Sequence, residues 1–150
     1  MEALKQLTEL EFKARYQGKT IPEYAKYRKK YSTRTANGLT RAIIDWLKLN
    51  GWHAERINTM GRPVDNTKVV TNTLGQKQRI GSIDWIPGTG QKGSADISAT
   101  IRGLSVKIEV KMKDRQSEHQ KAYQAEIERA GGIYWLVRSF DEFIEKYKTL

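Results

Sequence analysis

Two acidic residues and a lysine occur around a predicted β-hairpin in the second half of this sequence. Asp96 and Glu109 are separated by twelve residues, and Lys111 follows two positions after Glu109. The pair Arg102-Gly103 between them predicts a two-residue turn, because glycine adopts the positive φ that tight hairpin turns require. Asp96 would then face Glu109 across the hairpin, with about 5 Å between their Cβ atoms.

The register of this predicted hairpin separates apolar from polar side chains along its whole length. Side chains alternate between the two faces of a strand, so paired residues share a face. The apolar pairs would be Ile101–Leu104, Ala99–Val106 and Ile97–Ile108, and the polar pairs Thr100–Ser105, Ser98–Lys107 and Asp96–Glu109. A shift of one residue would mix the two faces, so the pattern favours this register.

Two carboxylates opposed at this distance repel each other unless a cation lies between them. Oxygen ligands suit Mg²⁺ or Mn²⁺, and the chain has no cysteine for a thiolate zinc site. We therefore predict a divalent-metal site at Asp96 and Glu109, with Lys111 on the same face. The alternative is a surface hairpin whose acids are neutralised by Lys107 and Lys111.

The helix predicted after the hairpin begins with Ser117-Glu118-His119-Gln120. Ser-x-x-Gln is a capping box, and capping alone explains Gln120. Gln120 also lies on the first helical turn, shortly after Lys111. It is therefore also a candidate for the same site.

Basic residues outnumber acidic residues by 27 to 17, which gives a net charge of +10. The excess is uneven: residues 1–36 hold nine basic and four acidic side chains, and residues 58–92 hold five and two. This balance predicts a polyanionic partner, nucleic acid before a membrane surface. For the basic run over residues 27–35, a solvated helix face is the alternative. The side chains expected to contact DNA are Arg28, Lys29, Lys30, Arg34, Arg56, Arg62, Lys92, Lys113 and Arg115.

The predicted elements alternate between helices and strands. Helices are expected over residues 3–16, 22–30, 37–50, 117–130 and 140–147, and strands over 52–57, 68–73, 79–85 and 133–137 besides the hairpin. Asn37 is the expected cap of the third helix. The order predicts an α/β fold with a mixed sheet flanked by helices.

The organisation expected from length and charge is a single α/β domain with two additions. Residues 1–36 are predicted to form a basic helical extension whose removal leaves a folded core, and residues 58–92 an insertion within the domain 37–150, where 68–73 and 79–85 form an extra hairpin. The sequence shows neither a signal peptide nor a membrane-spanning run, which favours a soluble, cytoplasmic protein.

Four segments carry a family resemblance: GLTRAIIDWLKLNGWHAERINT, GSADI, KIEVK and DRQSEHQKAYQAEIERAGG, spread over residues 37–150. In this order and spacing they resemble the PD-(D/E)xK nuclease superfamily, and more closely its VRR-NUC type, which includes phage-encoded and Holliday-junction-resolvase-like enzymes. The resemblance implies a restriction-endonuclease-like αβββαβ core. Many relatives carry a glutamate early in the first helix, where this chain has Asn37-Gly38-Leu39-Thr40.

The resemblance also implies roles for the site residues. Asp96 and Glu109 would bind Mg²⁺ or Mn²⁺ together with the main-chain carbonyl of Val110. Lys111 would orient the attacking water or stabilise charge on the phosphate, and Gln120 would help to place Lys111 or the water.

The function implied is that of a metal-dependent DNA endonuclease selective for junctions, flaps or nicks. Its setting would be phage or mobile-element DNA replication, recombination or packaging in the host cytoplasm. A homodimer would suit junction resolution, which needs two nicks. The alternative, motivated by the missing early glutamate, is a non-catalytic DNA-binding protein on a nuclease fold.

Overall fold

A computed structural model of the chain describes residues 2–58, 61–86, 88 and 90–150. These form two compact units, one made of Met1–Ile57 with Gly93–Leu150 and the other of Asn58–Lys92. In chain order, the helices are α1 (Glu2–Tyr16), α2 (Ala36–Leu49), α3 (Glu118–Arg129) and α4 (Phe140–Lys148). The strands are β1 (His53–Arg56), β2 (Arg62–Asp65), β3 (Lys68–Thr71), β4 (Lys77–Ile80), β5 (Ile83–Ile86), β6 (Ile97–Ile101), β7 (Leu104–Val110) and β8 (Ile133–Val137).

A four-stranded sheet with the order β1-β6-β7-β8 organises the first unit. β1, β6 and β7 are antiparallel neighbours, whereas β8 runs parallel to β7. A parallel pair needs a crossover connection, and α3 supplies it. The predicted α/β class, a mixed sheet flanked by helices, is therefore confirmed.

The hairpin of β6 and β7 has the predicted register over five of the six expected pairs, from Ile97–Ile108 to Ile101–Leu104. Arg102 and Gly103 both have positive φ, 52° and 81°, as in a type I′ turn. The sixth expected pair, Asp96 with Glu109, falls just outside the described pairing, because β6 begins at Ile97.

Apolar side chains on one face of the sheet pack against α1, α2 and α4 and form the main core. On α2 the apolar positions recur at helical spacing, and Leu39, Ile43 and Leu47 are fully buried. Thr35, not Asn37, caps this helix, because its hydroxyl accepts a hydrogen bond from the N–H of Gly38. The expectation that Asn37 is the cap was wrong.

The opposite face of the sheet carries a smaller apolar cluster beneath α3. It consists of Ala95, Tyr123 and Tyr134, with Ile127 packed against it. Glu109 belongs to this face, because it alternates with the core residues Ile108 and Val110. The less apolar face is therefore the one that carries the predicted chemistry.

The amino-terminal helix is part of the main core. Leu7 is fully buried, and α1 packs against both α2 and α4. Residues 1–36 thus do not lie apart from the core, as an extension would. No helix within the described ranges is both long and apolar enough to cross a bilayer.

The helix predicted from Pro22 to Lys30 is wrong. Only Glu23–Ala25 forms a short 3-10 turn. The segment is tied to helices instead: the N–H of Tyr27 donates to the hydroxyl of Tyr16 at 2.8 Å, and the hydroxyl of Tyr31 donates to Asp45 Oδ2 on α2 at 2.8 Å. These tertiary contacts override the local helical preference.

The second unit is one long two-stranded hairpin. β2 pairs with β5 and β3 with β4, and the N–H of Asn66 donates to the carbonyl of Ser82 between the two ladders. The predicted pairing of residues 68–73 with 79–85 is therefore only partly right. The observed pairing runs from Arg62–Ile86 to Thr71–Lys77. The turn at its tip is closed by Asn72 Oδ1, which accepts hydrogen bonds from the N–H groups of Leu74 and Gln76.

Candidate metal centre and nucleic-acid interface

The candidate site lies at one end of the four-stranded sheet. Because β1, β6 and β7 alternate in direction, the end of β1, the start of β6 and the end of β7 meet there. Asp96 directly precedes β6, and Glu109 and Val110 are the last residues of β7. The sheet topology therefore brings together the two predicted metal ligands from adjacent strands.

Asp96 is held by hydrogen bonds to the main chain. Its Oδ2 accepts from the N–H of Val110 at 2.9 Å, and its carbonyl accepts from the N–H of Ile57 at 2.8 Å. Gly93 has a φ of 86°, and a Cβ there would lie 2.4 Å from the carbonyl oxygen of His119. Glycine thus lets the loop that carries Asp96 pack directly on the first turn of α3.

Glu109 is a buried carboxylate with only 3% of its surface exposed. Its Oε1 lies 3.2 Å from Lys111 Nζ and also accepts a hydrogen bond from Gln120 Nε2. Burial, and secondly the negative charge of Asp96, raise the pKa of Glu109, while Lys111 and Gln120 act in the opposite direction. The predicted group of Asp96, Glu109, Lys111 and Gln120 is therefore assembled around this carboxylate.

Gln120 performs both of the functions that its sequence position allows. Its side-chain Oε1 accepts a hydrogen bond from the main-chain N–H of Ser117 at 3.0 Å. The main-chain N–H of Gln120 donates to the hydroxyl of Ser117, which completes the capping box. Its Nε2 is left free for Glu109. One side-chain amide thus fixes the start of α3 and the orientation of the buried carboxylate.

The main-chain carbonyl of Val110 lies on the same side as Asp96. Lys111 N–H donates to the carbonyl of Val137 in β8, whereas Val110 N–H donates to Asp96. Successive strand residues direct their backbone groups to opposite neighbours, and the N–H and C=O of one residue point the same way. The carbonyl predicted as a third ligand is therefore directed toward the side of β7 on which Asp96 lies.

Tyr134 is a member of this environment that the sequence analysis did not single out. It pairs with Lys107 in the register of β7 and β8, two positions from the pair of Glu109 with Leu136. Burial, followed by the charge of Glu109, raises the pKa of Tyr134 to about 12, so its hydroxyl stays protonated. Aligning the alternation of β8 with that of β7 would have found it.

The donor set suits a hard divalent ion. Glu109 Oε2 is buried and has no hydrogen-bond partner among the described residues. Asp96 offers a second carboxylate, and Val110 a main-chain oxygen. The described part of the chain holds no cluster of three or more His, Cys, Asp or Glu side chains placed for a metal. Two carboxylates, a carbonyl and water correspond to the oxygen coordination of Mg²⁺ or Mn²⁺.

The basic side chains predicted to contact DNA fall into three groups. Arg28 and Lys29 are engaged within the first unit: Arg28 is paired with Glu9 and lies over the ring of Phe12, and Lys29 Nζ lies 2.6 Å from Asp45 Oδ2. Among the others in the first unit, the exposed ones are Lys30, Arg34, Arg56, Lys113 and Arg115. The remaining two, Arg62 and Lys92, belong to the second unit.

Arg41 is a basic residue that the sequence analysis missed. It lines a cleft of about 310 Å³ with Asn37, Thr40, Ile44 and Arg56. Arg56 Nη2 donates to Asn37 Oδ1 at 2.8 Å, so the end of β1 is joined to the start of α2 at this cleft. Helical spacing places Arg41 one turn after Asn37, and this signal would have found it.

The comparisons with known proteins leave the identity of the chain open. No family model matches it, and no curated protein is similar to it in sequence.

Proposed function

We propose that this protein is a divalent-metal-dependent DNA endonuclease of the PD-(D/E)xK superfamily, of VRR-NUC type. The observation that carries the proposal is the buried carboxylate of Glu109, which has Asp96 and Lys111 beside it and one oxygen without a partner among the residues that the structure describes. An unsatisfied buried carboxylate is costly to a fold, and such groups concentrate at functional sites. A divalent cation would satisfy it.

The order of the elements supports the same proposal. Within the first unit, the chain from α2 to β8 reads helix, three strands, helix and strand, in the order α2, β1, β6, β7, α3 and β8; the second unit lies between β1 and β6 in sequence, and α4 follows β8. This is the order expected of a restriction-endonuclease-like αβββαβ core. In that core the acidic residues lie where Asp96 and Glu109 lie, at the end of the central hairpin.

The ligands of the ion would be Asp96, Glu109 and the main-chain carbonyl of Val110. Bound there, Mg²⁺ or Mn²⁺ would act as a Lewis acid on a phosphate oxygen and lower the pKa of a coordinated water. The hydrogen bond from Val110 N–H fixes Asp96, and the hydrogen bond from Gln120 fixes Glu109. Ligands oriented in this way need little rearrangement on binding.

The reaction is hydrolysis of a phosphodiester. A water molecule releases one proton to solvent as its oxygen forms a bond to phosphorus, the bond from phosphorus to one sugar oxygen breaks, and the leaving oxygen takes up a proton from solvent. Lys111 supplies positive charge next to Glu109, where the negative charge of the phosphate increases in the transition state. Its ammonium also donates hydrogen bonds and can orient the attacking water.

The proposed substrate is branched or interrupted DNA: a junction, a flap or a nick. The net charge of +10 favours binding to the phosphate backbone, and the exposed basic residues of the first unit provide contacts. A phage or mobile-element role in replication, recombination or packaging belongs to the same proposal, as does a homodimer that makes paired cuts.

A non-catalytic DNA-binding protein is the second candidate. The observation that favours it is the start of α2, whose first turn contains no acidic residue and where Arg56 engages Asn37. A second metal would have no carboxylate there. This candidate predicts DNA binding that depends on salt and survives loss of Asp96, with no cleavage under any condition.

The experiment that tests the proposal measures cleavage of labelled duplex, single-stranded, nicked, flap and four-way-junction DNA. Each is incubated with Mg²⁺, with Mn²⁺ and with chelator. We expect cleavage that requires a metal and that falls at least about 100-fold in Asp96→Asn. The matched control is Asp114→Asn, because Asp114 is an exposed acid in the loop after β7.

Metal-dependent cleavage that is lost in Asp96→Asn and retained in Asp114→Asn supports the nuclease. Tight binding without cleavage of any of the five DNAs would contradict it and favour the second candidate. Equal losses in the two variants would show that acidity in general, and not this site, matters.

A further inference from the structure

We propose that two adjoining clefts along the first half of α2 form a track for successive phosphates of a DNA strand, with Arg41 as the cationic residue common to both. The inference rests on the proposed function and names the surface that would hold the substrate backbone. Arg41 was not among the basic residues that the sequence predicted to bind DNA.

The first cleft, of about 310 Å³, lies between the start of α2 and the end of β1. Arg41 and Arg56 both line it, and the amide of Asn37 is fixed between them by its hydrogen bond from Arg56. A guanidinium offers several donors in a planar arrangement that matches phosphate oxygens. Two of them in one cleft with an amide are suited to a phosphodiester.

The second cleft, of about 340 Å³, shares Asn37 and Arg41 with the first and is also lined by Lys29, Lys30 and Thr35. One wall of this cleft is formed by residues 29–32, in the segment before α2, and this segment lies close to the helix backbone at Gly38. A Cβ on Gly38 would lie 2.1 Å from the carbonyl oxygen of Ser32. Glycine therefore permits the close approach that shapes this cleft.

The charge of the two clefts is not balanced by neighbouring acids. No Asp or Glu lines either cleft where the structure describes it. Lys29 is paired with Asp45, but within the described residues no ion pair involves Lys30, Arg41 or Arg56. These three cations, on the segment before α2, on α2 itself and at the end of β1, attract a polyanion whose charges repeat, as those of a nucleic-acid backbone do.

The track reaches the end of the sheet that also holds the proposed metal site. Arg56 pairs with Ile97 in the sheet, and the next residue, Ile57, donates its N–H to the carbonyl of Asp96. A strand whose phosphates lie along α2 can therefore continue toward the carboxylates at the same end of the sheet. The track would set which phosphate reaches the site.

The test measures the affinity of the full chain for fluorescein-labelled duplex and junction DNA. Fluorescence anisotropy reports binding, in the presence of chelator, at salt concentrations between about 50 and 200 mM. We expect Arg41→Gln to weaken binding about 10-fold and to reduce the salt slope by about 1, and the double variant with Arg56→Gln to reduce it by about 2. Arg41→Lys should retain the slope, because the charge remains.

The matched control is Arg129→Gln, which removes the same charge from the exposed last turn of α3. Equal affinities and slopes in Arg41→Gln and Arg129→Gln would overturn the track. Competition by polyglutamate as strong as that by DNA, and equally weakened in Arg41→Gln, would replace DNA with an acidic protein. If Arg41→Gln does not fold, Arg56→Gln provides the same comparison, because it also removes one of the cations that line the first cleft.

The outcome is separable from that of the proposed function. Metal-dependent cleavage together with unchanged binding in Arg41→Gln would retain the nuclease and reject the track. A reduced salt slope in a protein that never cleaves DNA would retain the track and reject the nuclease.

Discussion

Gln120 Nε2 donates a hydrogen bond to the buried carboxylate of Glu109, while Gln120 Oε1 closes the capping box of α3. The helix start and the candidate metal ligand are thereby joined through one amide. The two functions can be separated by substitution, because they use different atoms.

We expect Gln120→Glu to preserve the cap but to impair the site. A glutamate at this position can still accept the hydrogen bond from Ser117, but it cannot donate to Glu109 and adds a second negative charge beside it. Metal-dependent cleavage should fall roughly 10- to 100-fold with little change in melting temperature. The measurements are cleavage rate and thermal unfolding on the same preparation.

Ser117→Ala is the complementary variant. It removes the hydroxyl that accepts from Gln120 N–H, which typically costs about 0.5–2 kcal/mol of stability. Cleavage at a temperature where the variant is folded should stay close to that of the unsubstituted chain. If Gln120→Glu lowered stability as much as Ser117→Ala and left cleavage unchanged, Gln120 would be a capping residue only.

The raised pKa of Glu109 predicts a pH-dependent effect of Glu109→Gln on stability. The folded chain without metal binds the Glu109 proton more tightly than the unfolded chain, so stability is lost as pH rises through the folded pKa. Gln cannot ionise and avoids that loss. In chelator at pH 8, we expect Glu109→Gln to melt a few degrees higher than the unsubstituted protein, since each kcal/mol of stability shifts the melting temperature by about 2–4 °C. The difference in melting temperature should shrink toward pH 4.

Added Mg²⁺ should reverse this order at pH 8. The ion binds only the folded chain and needs the ionised carboxylate, so it stabilises the unsubstituted protein more than Glu109→Gln. Melting curves with and without the ion, at both pH values, make the comparison. A variant that is less stable than the unsubstituted protein at pH 8 in chelator would contradict the sign of the pKa shift.

Lys111→Met should lower cleavage far more than Lys107→Met. The two lysines lie on the same strand face, four residues apart, but Lys111 Nζ contacts Glu109 whereas Lys107 Nζ donates to Ser98 Oγ at 2.6 Å. Loss of a charge-stabilising group typically costs about 100- to 1000-fold in rate. Single-turnover cleavage of a junction measures it, and equal effects of the two substitutions would remove Lys111 from the mechanism.

Leu7→Ala should destabilise the first unit although it lies far from the site in sequence. Leu7 is fully buried in the core that α1 shares with α2 and α4, and truncations of this kind cost about 2–5 kcal/mol. Lys5→Ala, on the exposed side of the same helix, is the control. Urea unfolding gives both values, and a change below about 1 kcal/mol in Leu7→Ala would show that α1 is dispensable for folding.

Replacing residues 61–86 by a short Gly-Ser linker should leave the first unit folded. The strands of this hairpin pair among themselves, and the sheet that carries Asp96 and Glu109 is formed by other strands. Amide NMR spectra and the melting temperature of the shortened chain would check this. The exposed Trp85, Val69 and Ile83 of the hairpin also predict a more soluble product. A spectrum with collapsed dispersion would show that folding of the two units is coupled.

Local sequence patterns were sufficient to predict the elements around the site. Alternation with period two, together with a glycine at the turn, predicted the register of β6 and β7 from Ile97 to Ile108. Helical spacing predicted α2, and the Ser-x-x-Gln signature predicted the start of α3. These features depend on neighbours within a few residues or on a single hairpin, so the information is contained in short stretches of sequence.

The remaining features depend on contacts between distant parts of the chain. Residues 22–30 were predicted to be helical but form only a short 3-10 turn, because Tyr27 is bound to Tyr16 and Lys29 to Asp45, and α1 is retained in the core through Leu7. The proximity of Arg41, Arg56 and Asn37 exists only after β1 has paired with β6 beneath α2. The types and spacing of the acids, the lysine and the glutamine were readable along the chain. The burial of Glu109 and the basic track arise only from packing, because burial and shared clefts are properties of the assembled sheet and helices.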